Sequence, residues 1–376
     1  MQKLIPFLLI SILFVSCKEK KETVVNETSV VSSIEFAEGF SIEKTENGTI
    51  IHLKNPWPGA DKTFTYALVE NIDKITNKED YDAVVKIPVQ KIVVTSTTHI
   101  PSLEMLNAQQ SLVGFPNLDY ISSPSTRTLI EKGSIKELGK NEDINTETLI
   151  DLAPDVVVGF AVDGNNTTFS TIAKTGIPVL YNADWTETHP LGKAEWIKFF
   201  GALYGKEKEA DSIFNKIKTD YQAAKKMAAE APTQPTVLSG AMYKDIWYLP
   251  QGNSWAARFI ADANGNYLWQ NTEGTGSIAA NLETVLEKGQ NADFWIGPGQ
   301  FTSLQQMTDF HSVYGEFDAF KNNNVYSFTT KTGATGGVVY YELAPNRPDL
   351  VLKDIIKMLH PELLKNHELY FFSKLQ

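Results

Sequence analysis

One unit of sequence occurs twice in this chain, and it constrains the fold more than any other feature. The first copy covers residues 145–159 and the second covers residues 281–297. Each copy begins with Asn, has Glu two residues later, and continues through Asp into a short apolar run that ends in Gly. A capped helix followed by a buried strand predicts a mainly parallel sheet covered on both faces. Such units also occur in other α/β proteins, but the matched Glu and Asp positions favour two similar α/β lobes.

The chain length and one long helical pattern place the boundary between these lobes. A chain of 376 residues is too long for one typical domain and suits two. Residues 206–231 are rich in Glu, Lys and Ala, carry apolar residues at helical spacing and end just before Pro232. We therefore expect one long connecting helix at 206–231, an N-terminal lobe at 34–205 and a C-terminal lobe at 232–376.

Residues 34–85 have a different pattern from the rest of the N-terminal lobe. Short alternating apolar runs are separated there by turn residues such as Asn47-Gly48 and Pro58-Gly59. This pattern is typical of antiparallel strands joined by tight turns. We predict a small antiparallel β extension ahead of the first α/β lobe.

The first residues have the composition of a secretory signal. Lys3 precedes an apolar run at 4–15 that is too short to span a bilayer, and a charged stretch follows Cys17. Cys17 is the only cysteine, and it stands where a bacterial lipobox has its acylated residue. A buried or incidental cysteine is the alternative. We predict a signal peptide at 1–16, lipidation of Cys17 and a flexible tether at 17–33, which together anchor the protein to a membrane outside the cytoplasm.

Charge and motifs argue against several classes of function. The formal net charge of −11 and the lack of a Lys/Arg stripe argue against nucleic-acid binding. The sequence contains no Gly-x-Ser-x-Gly or His-Glu-x-x-His motif, so we expect neither enzymatic activity nor a cofactor. Direct zinc or manganese binding through His99, His189 and His311 is an alternative, although these residues lack the close spacing of metal ligands. The Gly-rich run at 333–337 lacks the context of a phosphate loop, and we expect a flexible loop there.

Several segments, taken in order, resemble the periplasmic substrate-binding proteins of ABC importers for siderophores, haem and cobalamin. The segments are 91–106, 145–158, 175–179 and 347–362, so the resemblance covers most of both lobes. It implies two Rossmann-like lobes joined by a single long helix, with the ligand in the cleft between them and a small hinge motion. It also implies an ABC permease and ATPase complex as the partner, and we expect the protein itself to be a monomer.

Proteins of that family dock onto arginine residues of the permease through one exposed Glu on each lobe. By position within the repeated unit, the resemblance assigns this role to Glu147 and Glu283. Each Glu is also the second residue of its predicted helix, where the helix dipole by itself favours a carboxylate. Its presence in both copies favours docking, because long-range charge attraction steers such partners together.

The ligand site of such a fold is expected at the carboxyl ends of the strands, on loops that face the cleft. Aromatic side chains there can stack on planar ligands, and Arg can pair with the carboxylates of an anionic chelate. The candidate ligand-binding residues are Thr98, His99, Phe115, Tyr120, Arg127, Phe160, Trp185, Tyr243, Trp247, Tyr248, Gln300, Phe301 and Arg347.

Some aromatic residues near these loops have a second interpretation, as members of the core. Trp255 and Trp269 lie near the candidates in sequence, and a core position is favoured for Trp269 and Trp295. The expected ligand is a ferric siderophore-like chelate, by analogy with the family. Haem, cobalamin and a directly bound metal ion are the alternatives.

Overall fold

A computed structural model describes residues 30–32, 34–164 and 166–376 of the chain. The predicted signal peptide at 1–16 and the predicted lipidation of Cys17 lie outside the described residues, as does most of the predicted tether at 17–33. Val30–Ser32 forms an edge strand, so the chain joins a sheet before the predicted end of the tether.

The N-terminal extension is a five-stranded sheet. Its strands are β1 (Val30–Ser32), β2 (Phe40–Thr45), β3 (Gly48–Leu53), β4 (Phe64–Val69) and β5 (Ala83–Lys86), which pair in chain order. The first four strands are antiparallel, as predicted, but β5 pairs in parallel with β4. The chain between β4 and β5 makes two 3-10 turns, at 72–74 and 78–80, and returns to the end of the sheet at which β4 begins. The extension is therefore a mixed sheet rather than a purely antiparallel one.

The N-terminal lobe is a parallel sheet with helices around it. Its strands are β6 (Ile92–Val94), β7 (Leu112–Phe115), β8 (Lys136–Glu137), β9 (Gly139–Lys140), β10 (Asp143–Ile144), β11 (Val156–Gly159) and β12 (Val179–Tyr181). Its helices are α1 (Ile100–Met105), α2 (Pro124–Glu131), α3 (Thr146–Leu152), α4 (Thr167–Lys174), α5 (Pro190–Glu195) and α6 (Ile197–Tyr204). The parallel strands are ordered β12-β11-β6-β7-β8, and β9 and β10 form a separate hairpin. Ile92 and Val94 pack into one hydrophobic cluster and Val93 into another, so both faces of the sheet are covered.

One long helix, α7 (Glu207–Ala228), lies between the lobes in the chain. Its buried stripe includes Ala210, Phe214 and Ile217 at helical spacing, which is the pattern that predicted the helix. It packs against α6 of the N-terminal lobe, and the Tyr221 hydroxyl donates a hydrogen bond of 2.6 Å to Asp262 in the C-terminal lobe. The helix therefore contacts both lobes.

The C-terminal lobe repeats the architecture of the first and adds a small second sheet. Its strands are β13 (Thr236–Ser239), β14 (Ala241–Tyr243), β15 (Ile246–Pro250), β16 (Asn266–Tyr267), β17 (Ser277–Ala280), β18 (Phe294–Ile296), β19 (Val325–Ser327) and β20 (Ser373–Lys374). Its helices are α8 (Trp255–Asp262), α9 (Leu282–Gly289), α10 (Leu304–Phe310), α11 (Asp318–Lys321), α12 (Val339–Leu343) and α13 (Pro348–Leu359). The main sheet, β16-β13-β18-β19-β20, is parallel except for β20, and β14-β15-β17 is antiparallel.

The repeated unit has the same structural role in both lobes. Asn145 and Asn281 cap their helices, since each side-chain oxygen accepts the amide hydrogen three residues on, at 2.9 and 2.8 Å. Asp155 accepts the amide hydrogens of Gln90 and Lys91, both at 2.8 Å, just before β6. Asp293 likewise accepts the amide hydrogen of Thr236 at 2.8 Å, where β13 begins. Each Asp therefore fixes the start of a central strand, and the predicted class of two α/β lobes is confirmed.

Candidate functional site

The carboxyl ends of the two parallel sheets open onto neighbouring cavities. The cavity at the N-terminal sheet has a volume of about 570 Å³ and the cavity at the C-terminal sheet about 390 Å³. Parallel strands bring their following loops to one edge of a sheet, which is why these cavities form there. Tyr341 of α12 contributes to the walls of both cavities, and the residue is 49% exposed. Tyr341 therefore stands between the two cavities, which we refer to together as the cleft.

The N-terminal wall of the cleft is the more polar of the two, although it also contains aromatic rings, and we call it the polar wall. Thr95, Ser96 and Thr97 follow β6, and the Ser96 hydroxyl oxygen accepts the amide hydrogen of Thr98 at 3.3 Å. This turn leaves Thr97 half-buried at the cavity. The remaining polar and aromatic members of this wall are Phe115, Asn117, Tyr120, Lys140, Asn141, Glu142 and Phe160.

The C-terminal wall is mainly aromatic. Phe328 comes directly after β19 and stacks on Tyr340, with ring centroids 4.3 Å apart and an angle of 20° between the rings. Gly240 follows β13 with φ +77°, and a Cβ there would lie 1.8 Å from the carbonyl oxygen of Tyr248. This position therefore requires glycine, and the close approach places β15 beside the cavity. The other rings of this wall belong to Tyr248, Trp255, Phe259, Tyr341 and Phe372.

Lys193 links the two lobes beside the aromatic wall. Its ammonium group donates hydrogen bonds to the carbonyl oxygens of Asp184 and Trp185, at 3.0 and 2.9 Å. It also lies 5.3 Å from the ring centroid of Trp255, which is within the range of a cation–π contact. Burial lowers the pKa of Lys193. Trp255 is thereby held from the N-terminal side as well as by its own lobe.

A second contact between the lobes is made by residues 331–346 of the C-terminal lobe. The side-chain amide of Asn346 donates to the carbonyl oxygen of Thr98 at 2.8 Å, and its oxygen accepts from the Ser102 hydroxyl at 2.8 Å. The carboxylate of Glu342 accepts the amide hydrogen of Ser122 at 2.7 Å. Burial raises the pKa of Glu342 to about 7. These contacts join the lobes close to Tyr341.

The structure also corrects the expectation of a flexible loop at 333–337. A Cβ on Gly333 would lie 2.5 Å from the Cα atom of Ser122, and one on Gly337 would lie 2.3 Å from the carbonyl oxygen of Tyr120. The Thr335 hydroxyl donates to the carbonyl oxygen of Asp119 at 2.8 Å. The glycines allow close packing of this segment on the N-terminal lobe.

Four of the sequence-predicted ligand-binding residues lie in the walls of the cleft. Phe115, Tyr120 and Phe160 are in the N-terminal wall, and Tyr248 is in the C-terminal wall. Trp255, which the sequence placed near these candidates, lies in the aromatic wall as well. Contact with a ligand stays a prediction for each of them.

Two predicted ligand contacts, His99 and Trp247, are corrected by the structure, and for Arg347, which has a partner in its own lobe, ligand contact stays a prediction. His99 is 0% exposed and packs on Phe200 with ring centroids 5.5 Å apart, and burial lowers its pKa. Trp247 is also 0% exposed, because its indole N–H donates to the carbonyl oxygen of Ser239 and its ring stacks on Trp295. The guanidinium of Arg347 is held by both oxygens of Asp349, at 2.9 and 2.8 Å.

The other predicted residues lie near the cleft or outside its described walls. Thr98 donates its hydroxyl hydrogen to Asp184 at 2.7 Å, and Gln300 donates to the Tyr341 hydroxyl at 3.3 Å. Phe301 packs on Phe310 and Tyr314. The remaining predicted members of this group are Arg127, Trp185 and Tyr243.

These three side chains have distinct positions. Trp185 is 39% exposed near Lys193, and Tyr243 is 67% exposed on β14. Arg127 lines a separate cavity of about 570 Å³ together with Glu104 and Glu342. That cavity borders a different face of α12 from Tyr341, so Arg127 is not a member of the cleft wall.

Sequence reasoning missed Phe328, Tyr340 and Tyr341. Phe328 carried a usable signal in the sequence, because it comes directly after the strand-like run at 325–327. The pair Tyr340-Tyr341 lies on a five-residue helix after the Gly-rich run, and such a short helix has no clear periodicity. The core position favoured for Trp269 and Trp295 is confirmed, since both are buried.

The predicted docking residues occupy equivalent places. Glu147 and Glu283 are both exposed, and each is the second residue of its helix, in α3 and α9. Both helices end close to the amino end of the next strand, so their first turns lie towards the carboxyl edge of the sheet. The docking candidates and the cleft are therefore on the same side of each lobe.

In the parts of the chain that the structure covers, His, Cys, Asp and Glu residues form no group of three or more that could hold a metal ion. Within the same ranges, no helix combines the length and apolar character needed to cross a membrane.

Comparison with known proteins extends these observations. A family model of the periplasmic binding protein matches residues 92–332. An uncharacterized lipoprotein of Methanocaldococcus jannaschii is 28% identical over 375 residues, which covers 93% of this chain and 87% of that relative.

Solved structures show the same fold. A possible iron-binding, periplasmic solute-binding protein from Staphylococcus epidermidis is similar with a TM-score of 0.57 at 16% identity, covering 73% of this chain and 99% of that one. The periplasmic haem-binding protein of Vibrio cholerae is similar with a TM-score of 0.55 at 15% identity, covering 70% of this chain and 99% of that one. The family match spans most of both lobes, and the chain belongs to the periplasmic binding protein family, which provides the substrate-binding components of ABC importers.

Proposed function

We propose that this protein captures a ferric siderophore-like chelate in the cleft between its lobes and delivers it to the permease of an ABC importer. The binding is reversible and involves no chemical step. The protein is anchored through lipidated Cys17, and the name of the lipoprotein relative supports this part of the proposal.

The observation that carries this proposal is the cleft with two unlike walls. Its two cavities, of about 390 and 570 Å³, lie within the range of about 300–1,000 Å³ that is usual for small-molecule sites. The aromatic wall offers ring faces to a flat or apolar part of a ligand, and the polar wall offers hydroxyl and amide groups. A metal chelate with an apolar backbone and a polar metal centre suits both walls.

Direct capture of a metal ion is less well supported. The described residues contain no cluster of metal-ligating side chains, whereas zinc and manganese sites need several such groups within bonding distance. The predicted ligand His99 is buried against Phe200.

Tryptophan fluorescence tests the proposal, because Trp255 lies in the aromatic wall. The protein is titrated separately with ferrichrome, haem, cyanocobalamin and zinc chloride. We expect saturable quenching with ferrichrome, and we expect Trp255→Phe to remove most of it. Trp269→Phe is the matched control, because Trp269 lies in the core, and it should leave the quenching unchanged.

Each other outcome has a definite meaning. Saturable binding of haem or cyanocobalamin instead of ferrichrome would replace the ligand class and keep the capture function. Binding of zinc alone would favour the direct metal-ion alternative. A protein that binds none of the four probes would contradict the proposed capture.

A further inference from the structure

An aromatic cluster joins the N-terminal extension to the N-terminal lobe. Tyr181 at the end of β12 lies at its centre, with its ring centroid 5.6 Å from that of Trp57 and 5.0 Å from that of Phe64. The backbone N–H of Tyr181 donates a hydrogen bond of 3.0 Å to the hydroxyl oxygen of Tyr66. Phe169 of α4 packs on the same ring at 5.7 Å. The extension is therefore packed directly on the edge strand of the lobe.

Trp57 reaches beyond this cluster to the loop that follows β11. Trp57 lies between β3 and β4 and is half-buried. A Cβ built on Gly164 would lie 3.3 Å from Cζ2 and 3.7 Å from Nε1 of the indole. The Gly164 end of the loop at 160–164 therefore lies against the Trp57 ring.

The first residue of that loop, Phe160, lies in the cleft wall. Phe160 lines the N-terminal cavity and also an adjoining cavity of about 320 Å³. Ala161, Val162 and Asp163 line the adjoining cavity together with the hairpin residue Glu142. A shift of this loop would change the shape of the polar wall.

The same cluster supports the loop from its other end. Gly159 is the last residue of β11, and a Cβ there would lie 2.2 Å from the ring of Phe169. Phe169 thus occupies the space beside the backbone from which Phe160 projects, and it packs on Tyr181. One end of the loop therefore contacts Trp57 of the extension, and the other end contacts Phe169, which reaches the extension through Tyr181.

The extension lies outside the part of the chain that the family model matches. That match begins at residue 92, after β5. The family match therefore assigns no role to the extension, and its contacts in this chain are the evidence for one.

We infer that the N-terminal extension is a structural part of the capture site and that Trp57 is the positioning residue through which it fixes the loop at 160–164. This inference rests on the proposed function, since it assigns the loop to a ligand-binding wall. Trp57 supports the loop from behind and acts on the ligand only through it.

Hydrogen exchange and binding together test this role in the full-length protein. We expect Trp57→Ala to speed amide exchange across 160–164 in the ligand-free protein and to weaken binding of ferrichrome by about tenfold, the usual scale for a residue that acts through a packed network. Trp57→Phe keeps an aromatic ring at this position, so we expect amide exchange across 160–164 and ferrichrome affinity to stay close to those of the wild-type protein. Asp61→Ala is the matched control, because Asp61 is exposed on the same β3–β4 loop, and it should change neither.

A second variant keeps Trp57 and displaces the loop instead. Gly164→Ala places a methyl group against the indole, so we expect it to weaken ferrichrome binding by about fivefold on its own. In the Trp57→Ala background it should add almost nothing, because contacting residues give non-additive effects. Haem and cyanocobalamin replace ferrichrome as probes if either is the one that binds.

The outcomes separate this inference from the proposed function. Unchanged exchange at 160–164 in Trp57→Ala would overturn the inference and leave ligand capture intact. Faster exchange with unaltered affinity, or additive effects of the two substitutions, would also overturn it. A wild-type protein that binds none of the probes would contradict the proposed function, and the positioning role would be overturned with it.

Discussion

The two lobes share the residues that cap a helix and fix the start of a central strand, and we call this shared set the frame. They differ at the edge of the sheet where the cleft opens. Asp155 and Asp293 hold the first residues of a central strand in each lobe, and Asn145 and Asn281 cap matching helices. The loops at the carboxyl ends of the strands have no such likeness. The N-terminal wall is rich in hydroxyl, amide and charged groups, while the C-terminal wall is rich in aromatic rings.

The shared residues and the differing residues therefore have different roles. Residues that are the same in both lobes maintain the fold and, in our proposal, present Glu147 and Glu283 to the permease. Residues that differ between the lobes form the two walls of the ligand site. Substitutions in the shared set should act equally in the two lobes, whereas substitutions in the walls should not.

Reversal of charge at the docking residues should have the largest effect. The double substitution Glu147→Arg with Glu283→Arg should abolish uptake in cells, because like charges would then face the permease arginines. Ferrichrome affinity of the purified protein should stay unchanged. Each single substitution should reduce uptake by a similar factor.

Exposed carboxylates on the same helices provide the matched control. Asp151→Arg with Glu287→Arg changes the net charge equally, on α3 and α9, and should preserve uptake. The docking assignment would fail if the control pair abolished uptake as well, or if the docking pair reduced ligand affinity.

Substitutions in the two walls should have unequal effects on affinity. Trp255→Ala removes an aromatic face and should weaken ferrichrome binding by about 30-fold, on the scale of a hot-spot residue. Thr97→Ala removes one neutral hydrogen-bonding group and should weaken it by about fivefold. Calorimetric titration of both variants measures the ratio. Equal losses, or a larger loss for Thr97→Ala, would contradict the proposed division between the walls.

The features that the two lobes share could be predicted well from the sequence, whereas the residues of the cleft walls could not. The repeat predicted two lobes, both Asn caps and the places of Glu147 and Glu283, because capping and strand entry depend on residues close in sequence. Helix α7 followed from the spacing of its apolar residues. These features are decided by local chemistry, which a single chain displays.

The walls depend on packing between distant segments. Trp247 and Tyr248 are neighbours in β15 and point to opposite faces, and period-two alternation alone does not say which face is buried. The stacking of Trp247 on Trp295, which is distant in sequence, determines that the Trp247 face is the buried one. His99 was misplaced for the same reason, since its ring turns inward onto Phe200.

Loss of the strand-entry carboxylates should affect stability by similar amounts in the two lobes. Asp155→Ala and Asp293→Ala should each lower the free energy of unfolding by about 1–2 kcal/mol, the scale of a lost side-chain cap. Chemical denaturation measures both, and ligand affinity of the folded variants should be retained. A clear difference between the two decreases in the free energy of unfolding would show that Asp155 and Asp293 do not have equivalent roles.

A pH-dependent effect of similar size concerns the contact between the lobes at Glu342. Its pKa in the folded protein is about 7, above the ordinary value of 4.5 for a glutamate. The folded state therefore binds this proton more tightly, so stability falls as pH rises from 4.5 through 7. Glu342→Gln should reduce the fall between pH 5 and pH 8 by about 2 kcal/mol, at about 1.4 kcal/mol per pKa unit.

The N-terminal lobe should contribute a pH effect of opposite sign. Burial lowers the pKa of His99, so the unfolded chain takes up its proton first and stability falls as pH drops below 6.5. Replacement of His99 by Phe should flatten the acid side of the profile only. Thermal unfolding across the pH range checks both variants, and an unchanged slope in Glu342→Gln would contradict the raised pKa.

The central claim is that one ligand is held between the polar wall and the aromatic wall. A crystal structure of the protein with ferrichrome tests it most directly. The account predicts the chelate in the cleft, in contact with Trp255 and Tyr341 on one side and with the Thr97 turn on the other. A ligand bound outside this cleft, or in contact with one lobe alone, would contradict it.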